Sequence, residues 1–322
     1  SMSDLEKSHE RILNSNGIKF KDKFVEAYKI IMGDNYDKFI DYSLKRNKIS
    51  IRINTLKIDI ESCIKRIKKK NWNLSHIPWC KEGFWIESDR RDVGNLLEHQ
   101  LGYIYVQESM SMIPPIVMEI KENQKILDMC ASPGSKTTQI AQYMKNTGLL
   151  ISNDVKGSRL SCLGLNTTRM GLRNNVITLQ DAKTLKLDNN FDRVLCDAPC
   201  SGTGTISKSL KTLKIWNSNM IKRLSRTQKK LIEIAFNSLK PGGIMIYSTC
   251  SLEPDENECV VSDLLNKFEN AETMNIKLDL NSTKPFEKWA DKELNIGVKN
   301  CLRIHPYDND TDGFFICKIK KL

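Results

Sequence analysis

Two segments of this 322-residue chain place cysteines where chemistry can use them. Asp197-Ala-Pro-Cys-Ser-Gly-Thr-Gly204 follows the strand-like run Arg193-Val-Leu-Cys196, and Ser248-Thr-Cys-Ser251 follows Ile244-Met-Ile-Tyr247. A lone cysteine is most often a small buried hydrophobe. Two cysteines, Cys200 and Cys250, just past the carboxyl ends of adjacent strands would share one cleft. Such a pair suits addition to an unreactive ring. Carbon-5 of cytosine is a poor nucleophile, and a thiolate adding to carbon-6 turns the ring into an enamine. Asp197 is placed to take up charge at N3 and the exocyclic amine. A second thiol serves the later loss of the carbon-5 proton and elimination. The base must leave any stack for this to happen. The residues alone leave open which cysteine attacks.

A nucleoside cofactor has a natural seat earlier in the chain. Asp128-Met-Cys-Ala-Ser-Pro-Gly-Ser-Lys-Thr137 lies between the strand-like Ile126-Leu127 and a helix. Gly134 allows close backbone approach, Pro133 stiffens the turn, and the helix offers free N–H groups. The loop matches neither GxxxxGK[ST] nor GxGxxG, which weakens a phosphate-binding reading. Asp154 closes the next strand, where an acid can accept from both ribose hydroxyls. Asp181 closes the third equivalently; it either contacts the adenine amino group or caps a turn.

These residues need a sheet to carry them. From residue 124 strands alternate with helices: 149–151, a helix ending near Gly171, 176–179, 193–196, a helix over 224–239, a Pro241-Gly-Gly turn, 244–247, and a last strand over 314–319. The pattern predicts an α/β, Rossmann-like domain with a mostly parallel sheet, its ligands at the strands' carboxyl ends. Upstream lies a small α+β unit. It begins with polar-faced helices in 3–47, where Phe24, Tyr28, Ile31 and Met32 keep a helical period. An alternating strand at 49–54, a helix at 60–70 and short strands in 72–106 follow. The division expected is 3–110 and 111–322.

Charge points to the partner. Lys and Arg total 50 against 39 Asp and Glu, a net +11 that favours a polyanion. Lys208, Lys211, Lys214, Lys222, Arg223, Arg226, Lys229 and Lys230 fall in 201–230 without an acid among them, and a second basic tract covers 45–70. Two such tracts suit a nucleic-acid track, whereas a merely solvated face mixes signs. The ten cysteines form no CxxC pair and only four histidines accompany them, so no metal site is expected. With no signal peptide apparent, the thiols are expected reduced and the protein cytoplasmic. No apolar run reaches the roughly 20 residues of a membrane span.

In this order the motifs resemble the NOL/NOP/Sun family of RNA cytosine-5 methyltransferases, from about Ile49 to the C-terminus. They are Ile51-Arg-Ile-Asn-Thr-Leu-Lys57, Val106-Gln-Glu-Ser109, the 128–136 loop, Asp197-Ala-Pro-Cys-Ser-Gly202, Ser248-Thr-Cys-Ser-Leu-Glu253 and Thr311-Asp-Gly-Phe-Phe315. The resemblance implies a methyltransferase domain using S-adenosylmethionine, preceded by a small RNA-recognition-like domain. It implies that Cys250 is the nucleophile, that Cys200 assists release and that Asp197 holds the cytosine edge. Cys130, Ala131, Ser132, Pro133, Gly134, Ser135 and Lys136 would line the cofactor with Asp197, Asp154 at the ribose, Asp181 at the adenine, and Arg159 matching an arginine after the Asn-Asp motif. Lys136 would also lie near the target base. Asp312 and Phe315 would shape the base pocket, and Arg52 with Lys208, Lys211, Lys214 and Arg223 would contact substrate. Ser132 replaces the family's frequent alanine, a small change.

Transfer RNA is favoured over ribosomal RNA, because the chain is compact and shows no added RNA-binding domain after Leu322. The protein is read as a monomer. Two competing readings are a DNA cytosine-5 methyltransferase, which would attack with the Pro-Cys cysteine, and a non-catalytic RNA-binding scaffold. The second cysteine and the missing large recognition domain oppose the former; the joint presence of both thiols, Asp197 and Asp154 opposes the latter.

Overall fold

The computed structural model describes residues 18–88 and 91–322. The helical reading of residues 3–17 lies outside the described residues. Helices α1 (Asp22–Met32) and α2 (Tyr36–Ser43) follow, and α1 buries Phe24, Tyr28, Ile31 and Met32.

The alternation at 49–54 becomes β1 (Ser50–Ile53), followed by α3 (Ile60–Lys68), β2 (Asn73–His76), β3 (Gly83–Glu87) and β4 (Ile104–Val106). They form an antiparallel sheet in the order β2-β3-β1-β4. A short helix, Leu97–Gln100, precedes β4. The result is the β-α-β-β-α-β plan common among RNA-recognition-like units. Because side chains alternate across a strand, Ile51 and Ile53 enter one apolar cluster with Cys63 and Ile67 of α3, and Arg52 faces the other way.

The larger sheet is built from β5 (Lys125–Asp128), β6 (Leu149–Asp154), β7 (Asn175–Leu179), β8 (Phe191–Asp197) and β9 (Leu239–Thr249), all parallel in the order β9-β8-β5-β6-β7. Helices α4 (Ser135–Tyr143), α5 (Gly157–Met170) and α6 (Ser218–Ser238) make crossovers. After α7 (Glu258–Lys267) the chain adds β10 (Ala271–Met274), β11 (Leu302–Ile304) and β12 (Phe314–Lys321). Strand β12 runs antiparallel to β9 and pairs on its other side with β10 and β11. Neighbouring residues of the central strands enter separate cores: Leu127, Val194 and Met245 one, Ile126, Leu195 and Ile246 the other. Both faces are thus covered, as parallel sheets require.

Three details depart from the sequence reading. Helix α6 begins at Ser218 rather than 224, because the Asn217 side chain accepts from Met220 N at 2.8 Å and caps it. The Pro241-Gly-Gly segment lies inside β9, at an irregularity between the Phe191 and Arg193 pairings, with Gly242 at φ 84°. The third concerns grouping. Helices α1 and α2 do not pack on the small sheet. Phe24, Tyr28, Ile31 and Phe39 cluster instead with Ile206, Leu213, Trp216, Met220 and Leu252 of the larger unit, with Phe24 edge-on to Trp216. The reason is that α3 already covers the apolar face of the small sheet.

Candidate active site

Strands β8 and β9 are neighbours in register, with Asp197 opposite Ser248, and the loops leaving them run side by side. Their cysteines meet: Cys200 Sγ lies 3.2 Å from Cys250 Sγ, both partly exposed. The Cys200 thiol is held well above the ordinary thiol range by its hydrogen bond with Cys250, by burial and by the negative charge of Glu256. The backbone packs tightly beneath them. Gly204 N donates to Cys250 O at 2.8 Å, and a Cβ on Gly204 would fall 2.5 Å from Gly313 O and 2.7 Å from Cys250 O. Only glycine fits there.

Asp197, at the end of β8, holds a donor on each oxygen. Ser248 Oγ donates to Oδ1 at 2.9 Å, and the Lys136 ammonium lies 2.9 Å from Oδ2. Lys136 also donates to Ser111 Oγ at 3.0 Å and sits 5.8 Å from the ring centre of Phe314. It leaves the first turn of α4, so one cation joins the 128–137 loop to the thiol-bearing strands.

That loop is firmly held. Ala131 N donates to Asn153 O, Ser132 N to Asp154 Oδ2 at 3.1 Å, Ser132 Oγ to Arg159 O, and Asn166 Nδ2 to Pro133 O. Gly134 caps α4 at φ 112°, a conformation that suits glycine. Asp154 also accepts from Lys156 N on Oδ1, which leaves each carboxylate oxygen one further acceptor site. At the root of the loop the buried Asp128 accepts from Thr137 Oγ1 on Oδ2, while its Oδ1 has no partner. Burial pushes its carboxyl up to about 7. Cys130 and Ser135 lie on the same loop, half-buried, and the Arg159 side chain is exposed beside it. Asp181 accepts from Lys183 N on Oδ1 and caps the turn Ala182–Thr184; its outer oxygen lies 3.9 Å from Lys183 Nζ.

Among the residues assigned to substrate, Lys211, Lys214 and Arg223 are exposed on the basic face. Lys208 is exposed as well, but its ammonium lies 2.9 Å from Asp312 Oδ2. Asp312 is buried and also accepts from Asn47 Nδ2 and from Ser207 Oγ. Glu108 adjoins it: Asp312 N donates to Glu108 Oε1 at 3.4 Å, and burial together with the Asp312 charge raises the Glu108 carboxyl.

Two substrate assignments are corrected. Arg52 is fully buried and donates to Gln142 Oε1, Gln107 Oε1, Ser135 O and Thr138 Oγ1, while its guanidinium lies 5.2 Å from the Tyr105 ring centre. The face of the small sheet on which it sits is covered by α4, so Arg52 braces the loop and presents no surface. Phe315 is fully buried against Tyr247 in the core. Strand alternation turns its neighbour Phe314 toward Lys136 instead. Phe314, Ser111, Ser248 and Glu108 are site neighbours that the sequence reading did not single out, although all four lie within the quoted motifs or within a few residues of them.

All ten cysteines are free thiols. Among the described residues there is no group of three or more metal-ligating side chains and no helix long and apolar enough to cross a membrane.

The fold is that of the Rossmann-like methyltransferases. A methyltransferase homologue from Pyrococcus horikoshii superposes with a TM-score of 0.83 at 35% identity, over 94% of this chain and 96% of that one. NSun6 from Pyrococcus horikoshii with SFG also reaches 0.83, over 94% and 98%, at 24% identity, a likeness of fold. At the level of sequence, the family described as 16S rRNA methyltransferase RsmB/F matches residues 115–320, and the N-terminal domain of 16S rRNA methyltransferase RsmF matches 20–109. The chain belongs to the RsmB/F family of RNA methyltransferases. The tRNA (cytosine(49)-C(5))-methyltransferase of Pyrococcus abyssi is 45% identical over 305 residues, 94% of this chain and 97% of the relative. Ribosomal RNA small subunit methyltransferase F of Vibrio vulnificus is 40% identical over 318 residues, 96% of this chain but 66% of the relative. This membership sets aside the DNA-methylating alternative.

Proposed function

We propose that the protein methylates carbon-5 of a cytosine in transfer RNA, using S-adenosylmethionine and a covalent cysteine–cytosine intermediate. The observation that carries the reading is the approach of Cys200 and Cys250 to 3.2 Å beside the Lys136–Asp197 pair, where two thiols and a charged donor–acceptor pair face one cleft.

The site suits the cofactor. Asp154 has acceptor capacity left for ribose hydroxyls, the Cys130–Lys136 backbone is fixed with a glycine at its closest turn, and Asp128 Oδ1 lacks the donor that a cofactor ammonium would bring. When bound there, the cofactor supplies the methyl group. The chain's own residues do the rest. Cys250 adds to carbon-6 as thiolate, forming the S–C bond, and the Lys136–Asp197 pair supplies the proton taken up at N3 while Asp197 accepts from the exocyclic amine. Cys200, after losing its own proton to solvent, takes the carbon-5 proton as thiolate; the S–C bond then breaks to return Cys250 as thiolate, and N3 gives its proton back to the Lys136–Asp197 pair. Phe314 and the Lys208–Asp312–Glu108 group wall the cleft, and Lys211, Lys214 and Arg223 follow the backbone of the RNA. We keep the division of the chain at 110/111, with α1 and α2 lodged on the larger unit.

Transfer RNA is preferred because the tRNA-methylating relative is 45% identical to this chain and the ribosomal one 40%. Ribosomal RNA is the second reading, favoured by the family descriptions. The test offers unmodified transfer-RNA and 16S ribosomal-RNA transcripts to the purified protein with S-adenosylmethionine and maps products by bisulfite sequencing. A protected cytosine in transfer RNA alone supports the first reading, one in 16S RNA alone supports the second, and none in either overturns both.

A further inference from the structure

Beneath the two thiols lies a carboxylate with no part in the steps above. Glu256, on the turn Pro254–Glu256, is fully buried. Its Oε1 accepts from Ser201 N at 2.9 Å and from Gln228 Nε2 at 2.9 Å. Its Oε2 accepts from Ser201 Oγ at 2.6 Å and from Ser251 Oγ. The hydroxyls of Ser201 and Ser251 are themselves 3.1 Å apart. These serines directly follow Cys200 and Cys250 in the chain, so one carboxylate holds the residue after each thiol.

The neighbours tighten the arrangement. Gln228 of α6 also donates to Pro199 O at 2.8 Å, on the other side of Cys200. The Tyr247 hydroxyl donates to Glu256 O at 2.6 Å, which seats the turn against β9. Four donors face two oxygens, the full acceptor capacity of an ionised carboxylate. A neutral side chain of similar shape would have to give one position to a donor. A solvated glutamate, or one paired with a cation, would not need this environment. Desolvation alone makes such a burial costly, and it persists only where donors answer the charge.

We propose that Glu256 is a positioning residue that clamps the two cysteine loops to each other and thereby sets the approach of Cys200 to Cys250. The inference rests on the reading of Cys200 and Cys250 as catalytic thiols, but its main readout does not require methyl transfer.

The full-length protein, without RNA or cofactor, is treated with diamide. The reagent takes up two hydrogens and leaves a disulfide, and the Cys200–Cys250 peptide is followed by mass spectrometry. In Glu256→Ala the rate of that bond should fall at least about tenfold, since effective concentration drops steeply with misplacement. Glu256→Gln, which keeps size and the acceptor bonds of one oxygen, should recover part of it. In methylation assays Glu256→Ala should lower kcat and leave KM for RNA unchanged. A wild-type cross-linking rate in Glu256→Ala overturns the clamp. If that variant does not fold, the double variant Ser201→Ala with Ser251→Ala removes the same two hydroxyls at small steric cost; an unchanged rate there overturns the clamp equally. A wild-type protein that cross-links but methylates no RNA refutes the proposed function and leaves the clamp standing.

Discussion

Lys136 and Asp197 are joined by a 2.9 Å ion pair, although one residue belongs to the helix after the cofactor loop and the other to the strand that delivers Cys200. The pair crosses the cleft where a methyl donor and a base would meet. The loop after Asp197 carries Cys200, and Asp197 accepts from Ser248, two residues before Cys250, so the roles of the two thiols can be tested against this pair.

Without Cys250 no bond to carbon-6 forms, so Cys250→Ala should be inactive and leave RNA free in denaturing gels. Without Cys200 the adduct forms but its release slows, so Cys200→Ala should accumulate a protein–RNA species that survives denaturant and disappears in the double variant. Asp197→Asn should suppress that species in the Cys200→Ala background. An adduct from Cys250→Ala but not from Cys200→Ala would reverse the assignment.

Asp154 should anchor the ribose. Charge-assisted hydrogen bonds are worth roughly 1.5–3 kcal/mol, so Asp154→Ala should weaken cofactor binding about tenfold or more. The loop also loses its bond from Ser132 N to Asp154, which adds to the effect. Calorimetric titration with unchanged affinity would remove Asp154 from the site.

Lys208, paired with Asp312, should separate from the other basic residues by salt. Neutralising Lys211, Lys214 or Arg223 should in each case flatten the dependence of log affinity on log salt, by about 0.7 per phosphate for single-stranded RNA. Lys208→Ala should differ, because it strips Asp312 of its cation and should lower the thermal midpoint as well. Identical behaviour of all four in both measurements would return Lys208 to the open tract.

Stability should depend on pH through Glu253. Burial pushes its carboxyl from 4.5 up to about 7, with Trp216 Nε1 donating to it at 2.7 Å. Between those values the folded chain keeps a proton that the unfolded chain has lost. The resulting stability is complete below pH 4.5 and is lost as pH rises through about 7. Glu253→Gln should flatten the fall of the thermal midpoint across this window. A slope equal to that of the wild type would show that Glu253 does not carry it.

Much of the site was legible because its chemistry sits at strand ends, where a short motif fixes both position and exposure. Cys200, Cys250, Asp197 and Asp154 each end a strand or directly follow one, and a local pattern is enough to place them. Arg52 and Phe315 misled for one shared reason. Each lies in a motif, but strand alternation decides which face a side chain takes, and the covering layer decides whether that face meets solvent. Arg52 looks outward from its own sheet and meets α4; Phe315 looks away from the cleft and meets Tyr247. The lodging of α1 against Trp216 and the Glu256 clamp were beyond reach for another reason. They join residues far apart in sequence, and no period or spacing records such a meeting.

Arg52→Met should accordingly lower stability and cofactor affinity while leaving the salt dependence of RNA binding unchanged. A flattened salt slope would restore it to the RNA interface.

The bond from Arg52 to Ser135 O has a thermodynamic consequence. It makes the small sheet and the mouth of the cofactor loop one mechanical body. RNA that presses on the sheet then changes the free energy of the loop, and linkage requires the exchange to be mutual: whatever factor RNA applies to cofactor affinity, the cofactor applies to RNA affinity. Titrating each ligand with and without the other measures that factor, and Arg52→Met should bring it toward one. The two ligands would then report to each other through a buried guanidinium that touches neither.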